Sequence, residues 1–173
     1  MWRLYGQMKA ENVPPNAVTY TTLITFFGES KERQMLQSAD FLLRCMEESA
    51  CPELKPDYRH FVPVIKGWVR IGDPNEASKV LARFIEAKGT KPSPEIIDLV
   101  MQGWLRAGDL DQATVLLAHM QELKDENILP EGPTSLTYRC LLVAWERSSH
   151  PEKAIVMEKI EERLAFLKSA SIA

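Results

Sequence analysis

No apolar run in this chain of 173 residues is long enough to cross a bilayer, so no membrane span has a candidate segment. Cysteine is scarce. Cys45, Cys51 and Cys140 are an odd number without CxxC spacing, which argues against a disulfide framework and predicts free thiols in a soluble protein of a reducing compartment. The histidines His60, His119 and His150 are too scattered to fill a zinc site. Positive charge is not in excess: 21 Lys and Arg stand against 24 Asp and Glu, a formal charge of −3. That balance disfavours a nucleic-acid binder driven by net charge alone. P-loop, HExxH and nucleophile-elbow motifs are missing. His119 and Glu122 share a helical face but make only two ligands. The neighbours in Glu47–Glu48 and in Glu161–Glu162 diverge on a helix, and no histidine is assignable to Cys140. The chain is therefore expected to be non-catalytic, with no cofactor, no metal and no small-molecule substrate. Its start, MWRLYGQMKAENVPP, is neither a signal peptide nor an Arg- and Ser-rich transit sequence. It reads as the second half of an amphipathic helix, which implies a longer parent polypeptide.

What the chain does have is repetition. GWVRIGDPNEA (67–77) is followed by GWLRAGDLDQA (103–113) and AWERSSHPEKA (144–154). Before the second copy's turn, Ile96, Ile97, Val100, Met101, Trp104 and Leu105 recur at spacings of three and four, the apolar stripe of a helix. Gly108 suits the left-handed C-terminal cap of that helix, and Asp109 with Gln112 reads as a capping box opening the next. Gly72, Asp73, Pro74 and Glu76 repeat this in the first copy, and Ser149, Pro151 and Glu152 are expected to do so in the third. Ala77, Ala113 and Ala154 are expected to let the paired helix approach. Trp68, Trp104 and Trp145 are read as filling the space between hairpins rather than as a platform for stacking bases.

The copies are 36 residues apart between Gly67 and Gly103 and 41 between Gly103 and Ala144. Such periods predict an all-α solenoid of stacked antiparallel helical hairpins. About four units are expected, 17–57, 58–93, 94–134 and 135–173, after a leading half-unit 1–16. In the first full unit, 18–30 is read as one helix and Ala39 to Met46 as the other, across a long turn KERQMLQS. Pro63, among Phe61, Val62, Val64 and Ile65, predicts a helix that starts late, near His60, or kinks. Leu4, Tyr5 and Met8 are expected to face the next unit from the first half-unit. Ile160, Leu164 and Leu167 are expected to pack inward from a charged terminal helix.

These units resemble the pentatricopeptide repeat family. AVTYTTLI with an Ala-led second helix ending in RCME and closing on KPD (55–57) is similar to that family's unit, MKAENVPPN (8–16) to its ending and SLTYRCLLVAW (135–145) to its opening. The tetratricopeptide repeat ranks second, since its Trp comes early and its period is about 34. The family resemblance implies a right-handed superhelix whose first helices line a groove for single-stranded RNA, one base per unit. The fifth and last residues of a unit read the base and the second flanks it. Carried over, the unit from Ala17 offers Val18, Thr21 and Asp57, a Thr and Asp pair that in this family usually reads guanine. The other units depart from the pattern: Arg59, Val62 and Ser93; Glu95, Asp98 and Thr134; Leu136 and Arg139.

Arg70, Arg106 and Arg147 take the same place near the end of three successive first helices, a ladder suited to phosphates, with Lys66 and Arg139 adding charge nearby. Counting Arg59 as well, six cations face Glu29, Glu95, Asp98 and Glu146, a local excess of two. Single-stranded RNA is thus the expected partner, read with weak base specificity, and the resemblance implies a mitochondrion or plastid. The alternative is a protein-interaction scaffold in a larger assembly, with Leu54, Ile128 and Leu129 anchoring a protein partner.

Overall fold

The computed structural model describes residues 2–11, 13–87, 91–129 and 131–170, which hold nine α-helices, one 3₁₀ turn and no strand. They form two compact units, Met1–Pro92 and Ser93–Ala173. The first contains α1 (Trp2–Ala10), α2 (Ala17–Gly28), α3 (Arg33–Glu48), the 3₁₀ turn Pro52–Leu54, α4 (Tyr58–Arg70) and α5 (Pro74–Glu86). The second contains α6 (Pro94–Ala107), α7 (Leu110–Asp125), α8 (Ser135–Glu146) and α9 (Lys153–Ala170). Consecutive helices pair as hairpins, α2 with α3, α4 with α5, α6 with α7 and α8 with α9, and α2 also packs on α4 as α6 does on α8.

Polar caps set the hairpin turns. Gly72 and Gly108 take left-handed φ values of 80° and 79°, and the carboxylates of Asp73 and Asp109 then accept the N–H of Glu76 at 3.1 Å and of Gln112 at 3.0 Å. Each accounts for one of the donors a helix start leaves unpaired. The reciprocal half of the box forms in neither copy: only the aspartate bonds are made, and in the first the Glu76 carboxylate takes the Lys79 ammonium instead.

Burial follows the helical stripes. In the first unit Ile24, Phe27, Leu36, Leu43, Phe61 and Phe84 are sealed from solvent, and the Phe61 and Phe84 rings stack at 4.6 Å. Trp68 is buried under the Arg33 guanidinium, which is held by Asp73 at 2.7 Å, and its indole N–H has no partner. In the second unit Met101, Ala113, Leu117, Leu141 and Trp145 form the core with Ile160 and Leu164, and Leu167 packs at its edge. Trp145 donates to the Thr114 hydroxyl at 3.0 Å. Trp104 is half-buried, partly packed against the same cluster.

Four expectations give way. The second helix of the first full unit begins at Arg33, so the turn is short and KERQMLQS is mostly helix. Glu32 makes no side-chain cap there; the hydroxyl of Ser30 takes the Glu32 N–H, and burial of Leu36 holds the added turn in place. α4 starts at Tyr58 in spite of Pro63, because Asp57 and His60 close a capping box ahead of it. The third copy does not cap at Ser149: α9 starts at Lys153, with the His150 ring accepting the Glu152 N–H at 3.3 Å. Ala154 is exposed, whereas Ala77 and Ala113 are buried as expected. In α1 the side chains of Leu4 and Tyr5 lie outside the described residues, and Met8 is half-buried.

Candidate nucleic-acid interface

Each first helix carries a stripe at its second residue and four, seven and eleven positions further on, a spacing that keeps all four on one face. The stripe is Val18, Thr22, Thr25 and Glu29 from α2, and Arg59, Pro63, Lys66 and Arg70 on α4. In the second unit the corresponding residues are Glu95, Leu99, Gln102 and Arg106 on α6, and Leu136, Cys140, Val143 and Arg147 from α8. Every one of these residues is exposed or half-buried. The second residues Val18 and Leu136 are 70% and 63% exposed, far more than an apolar side chain needs for packing.

Lys66, Arg70, Arg106 and Arg147 sit on these stripes with different neighbours, and Arg139 stands off its stripe as a fifth residue. Arg70 donates to the carbonyls of Glu29 at 2.8 Å and Gly28 at 3.4 Å, so it also closes the C-terminus of α2. Lys66 is exposed one turn before it. Arg106 is exposed in the last turn of α6, and Arg139 is exposed on α8. Arg147 follows α8 and borders a cleft of about 890 Å³ that also holds Asp109, Asp111 and His150, the last 3.7 Å from Asp111. Acidic neighbours therefore offset part of its field.

Three of the four fifth residues, Thr21, Val62 and Asp98, are buried or half-buried, whereas Arg139 is exposed. Thr21 is half-buried; its hydroxyl donates to the Ala17 carbonyl at 2.8 Å and lies 2.9 Å from Nε2 of His60. The other ring nitrogen, Nδ1, accepts the N–H of Asp57 at 3.0 Å, so one imidazole joins Thr21 to Asp57. Burial raises the Asp57 carboxyl only partly, and its bonds from Arg59 together with nearby His60 bring it below the usual carboxylate range. Asp98 and Thr134 meet in the same way through Thr137, whose hydroxyl donates to Asp98 and takes the Thr134 N–H at 3.0 Å. Burial pushes the Asp98 carboxyl up, against the bond from Thr137. Val62 is 7% exposed on α4 and carries no hydrogen-bonding group, as its sequence implied. Sequence reasoning missed His60 and Thr137, the third residues of their helices. The shared separation of 39 between Thr21 and His60 and between Asp98 and Thr137 was the available signal.

Of the expected protein anchors, Ile128 is 39% exposed, Leu54 is half-buried and Leu129 is only 1% exposed. Leu129 belongs to the interior and offers no anchor. No group of three metal-ligating side chains occurs among the described residues, and none of their helices is long and apolar enough to cross a membrane.

Among solved structures the chain is similar to the pentatricopeptide repeat protein PPR10 from maize, with a TM-score of 0.70 and 19% identity over 98% of this chain and 22% of that one. The fold is pentatricopeptide-repeat-like. Two structures of PPR10 in complex with an 18-nt psaJ RNA element, one of them of the C256S/C430S/C449S variant, match at a TM-score of 0.53 and 18% identity, over 91% of this chain and 21% of that one. The chain thus spans about a fifth of the length of these pentatricopeptide repeat proteins. By sequence, no family model and no curated protein matches it.

Proposed function

We propose that this chain is a non-catalytic segment that binds single-stranded RNA through the exposed stripes of its first helices. The observation that carries this reading is the assembly of Val18, Thr21 and Asp57. An exposed apolar residue flanks a hydroxyl and an aspartate that His60 joins through the Asp57 backbone N–H, which is the arrangement needed to sandwich a base and meet its edge. The pentatricopeptide-repeat fold and the RNA bound by PPR10 support it. Arg70, Arg106, Arg147, Lys66 and Arg139 supply phosphate contacts, and most affinity comes from them. Base specificity is weak, because Val62 offers nothing to a base edge. Placement in a mitochondrion or plastid, acting on organellar transcripts, is part of the same proposal, as is the division into units at 57, 93 and 134.

The test is fluorescence anisotropy with a random single-stranded RNA pool at about 50 and about 200 mM salt. Five phosphate contacts predict a log–log salt slope of about 3–4, since each contributes about 0.7 on a single strand. Failure to bind at low salt removes RNA as the partner. Nuclease-resistant capture of a defined protein that is lost on changing Ile128 then supports the scaffold instead.

A further inference from the structure

We propose that His60 and Thr137 are positioning residues for base recognition, each locking a fifth residue to the residue that closes its unit, so that both pairs offer only acceptors to a base. This rests on the RNA-binding reading above and deepens it. His60 and Thr137 are 2% and 1% exposed and are the buried polar side chains among the described residues. Buried polar groups persist where their hydrogen bonds are complete. Both satisfy that condition by the same connection: the third residue of one first helix reaches back 39 residues to the fifth residue of the preceding one.

Proton accounting fixes what each pair presents. A threonine hydroxyl has one donor and two lone pairs. The Thr21 hydroxyl donates to the Ala17 carbonyl, so His60 Nε2 is the donor in their 2.9 Å contact and one lone pair of Thr21 remains. With Nε2 donating, Nδ1 accepts the Asp57 N–H at 3.0 Å; the same nitrogen lies 2.8 Å from Asp57 Oδ1, a contact that becomes an ion pair when the ring is protonated. The Asp57 carboxylate takes the Arg59 N–H at 2.9 Å, the His60 N–H of the capping box, and the Arg59 guanidinium at 3.1 and 2.8 Å, so a base edge gains its acceptor when the exposed guanidinium of Arg59 swings aside. In the second unit the Thr137 hydroxyl donates to Asp98. The Thr134 hydroxyl, 2.9 Å from it, therefore donates to Thr137 and accepts the Thr137 N–H at 3.2 Å. Asp98 and Thr134 are again left with acceptors.

Two acceptors side by side complement an edge with two adjacent N–H donors, which among the RNA bases is the N1–H and exocyclic amine of guanine. Asp98 with Thr134 thus prefers guanine as Thr21 with Asp57 does, although the two residue types are exchanged. Thr19, the third residue of α2, bonds to the Asn16 side chain through its own hydroxyl at 3.0 Å, the same cap contact. The corresponding residue in α6 is the apolar Ile96, and the fifth residue of α4 is Val62, so the chemistry of a bridge is missing from that step.

The test compares the full chain with His60→Phe, Thr137→Val, and the conservative His60→Gln and Thr137→Ser. Each is incubated with a random RNA pool, and the bound fraction is sequenced. Guanine enrichment is expected at two positions. It is lost at one of them in His60→Phe and at the other in Thr137→Val, and retained with Gln or Ser. Total affinity is expected to change by less than about threefold, because phosphate contacts carry it. Unaltered enrichment in variants with native circular dichroism overturns the inference while leaving the RNA reading intact. A wild-type chain that binds no RNA overturns both. Should a variant not fold, ¹H–¹⁵N correlation of wild-type His60 decides: an Nε2–H tautomer supports the bridge and an Nδ1–H tautomer overturns it.

Discussion

Gly67 of α4 rides on Gly28 of α2, where a methyl group added to Gly67 would come within 2.6 Å of the Gly28 carbonyl oxygen and closer still to Leu36. Pro63 completes the crossing, since a methyl on Gly28 would meet its backbone at 2.9 Å. The proline that argues against a helix in the sequence is thus a packing surface in the fold. Gly67→Ala is expected to destabilise the chain by about 1–3 kcal/mol through overpacking. Urea unfolding of the variant checks this.

Gly108 tests a different cost at the other kind of glycine. A methyl there would meet nothing within 4 Å, but the backbone is left-handed at φ 79°. Gly108→Ala is expected to cost about 1 kcal/mol from conformation alone. Gly108→Asn is expected to recover part of it, because Asn tolerates this region. Thermal melts of the pair read the difference.

Arg70 and Arg106 occupy equivalent positions but should separate in a stability assay. Arg70 holds the Glu29 and Gly28 carbonyls, so Arg70→Ala is expected to lower stability by about 1 kcal/mol, as for a lost charged bond at a helix end. Arg106 is exposed, and Arg106→Ala is expected to leave the melting temperature unchanged. Both substitutions are expected to lower the salt slope of RNA binding by about 0.7.

Acid should loosen the first unit through His60. Burial keeps its imidazole below the ordinary value of 6.5, with the Asp57 carboxylate opposing and Arg59 adding to the shift. The folded chain therefore holds fewer protons here than the unfolded one. Stability from neutral His60 is complete above pH 6.5 and is lost as pH falls through the folded value. Asp57, lowered from 3.8, adds a further loss at lower pH. Glu47 and Asp98, both raised mainly by burial, act with the opposite sign: their contribution is present in acid and lost as pH rises. Unfolding free energy measured from pH 7 to about pH 5 is expected to fall in the wild type and to fall less in His60→Phe.

The hairpins were legible where a glycine and an aspartate stand together, because left-handed backbone and carboxylate capping admit few other residues. The start of α3 was not legible, since Glu32 caps nothing and the helix is fixed by burial of Leu36 against other elements. Late onset of α4 was the wrong inference from Pro63, because local propensity was overridden by the Asp57 and His60 box. For the candidate interface, residue type was readable at Val18, Thr21 and Asp57. The bridges were not, since His60 and Thr137 share a register and a hydrogen-bonding task but no chemistry that a sequence repeat displays.

His60 and Thr137 lie in the hairpin after the one whose pair they hold. A repeat of this kind is therefore not a self-contained cassette. A graft cut at the Asp57–Tyr58 junction would carry Thr21 and Asp57 into a new array and leave His60 behind. Moving the cut to the turn at Gly72 transfers the pair with its imidazole. Modular reassembly of such chains should accordingly be framed at the hairpin turns, with the junction residue treated as part of the upstream module.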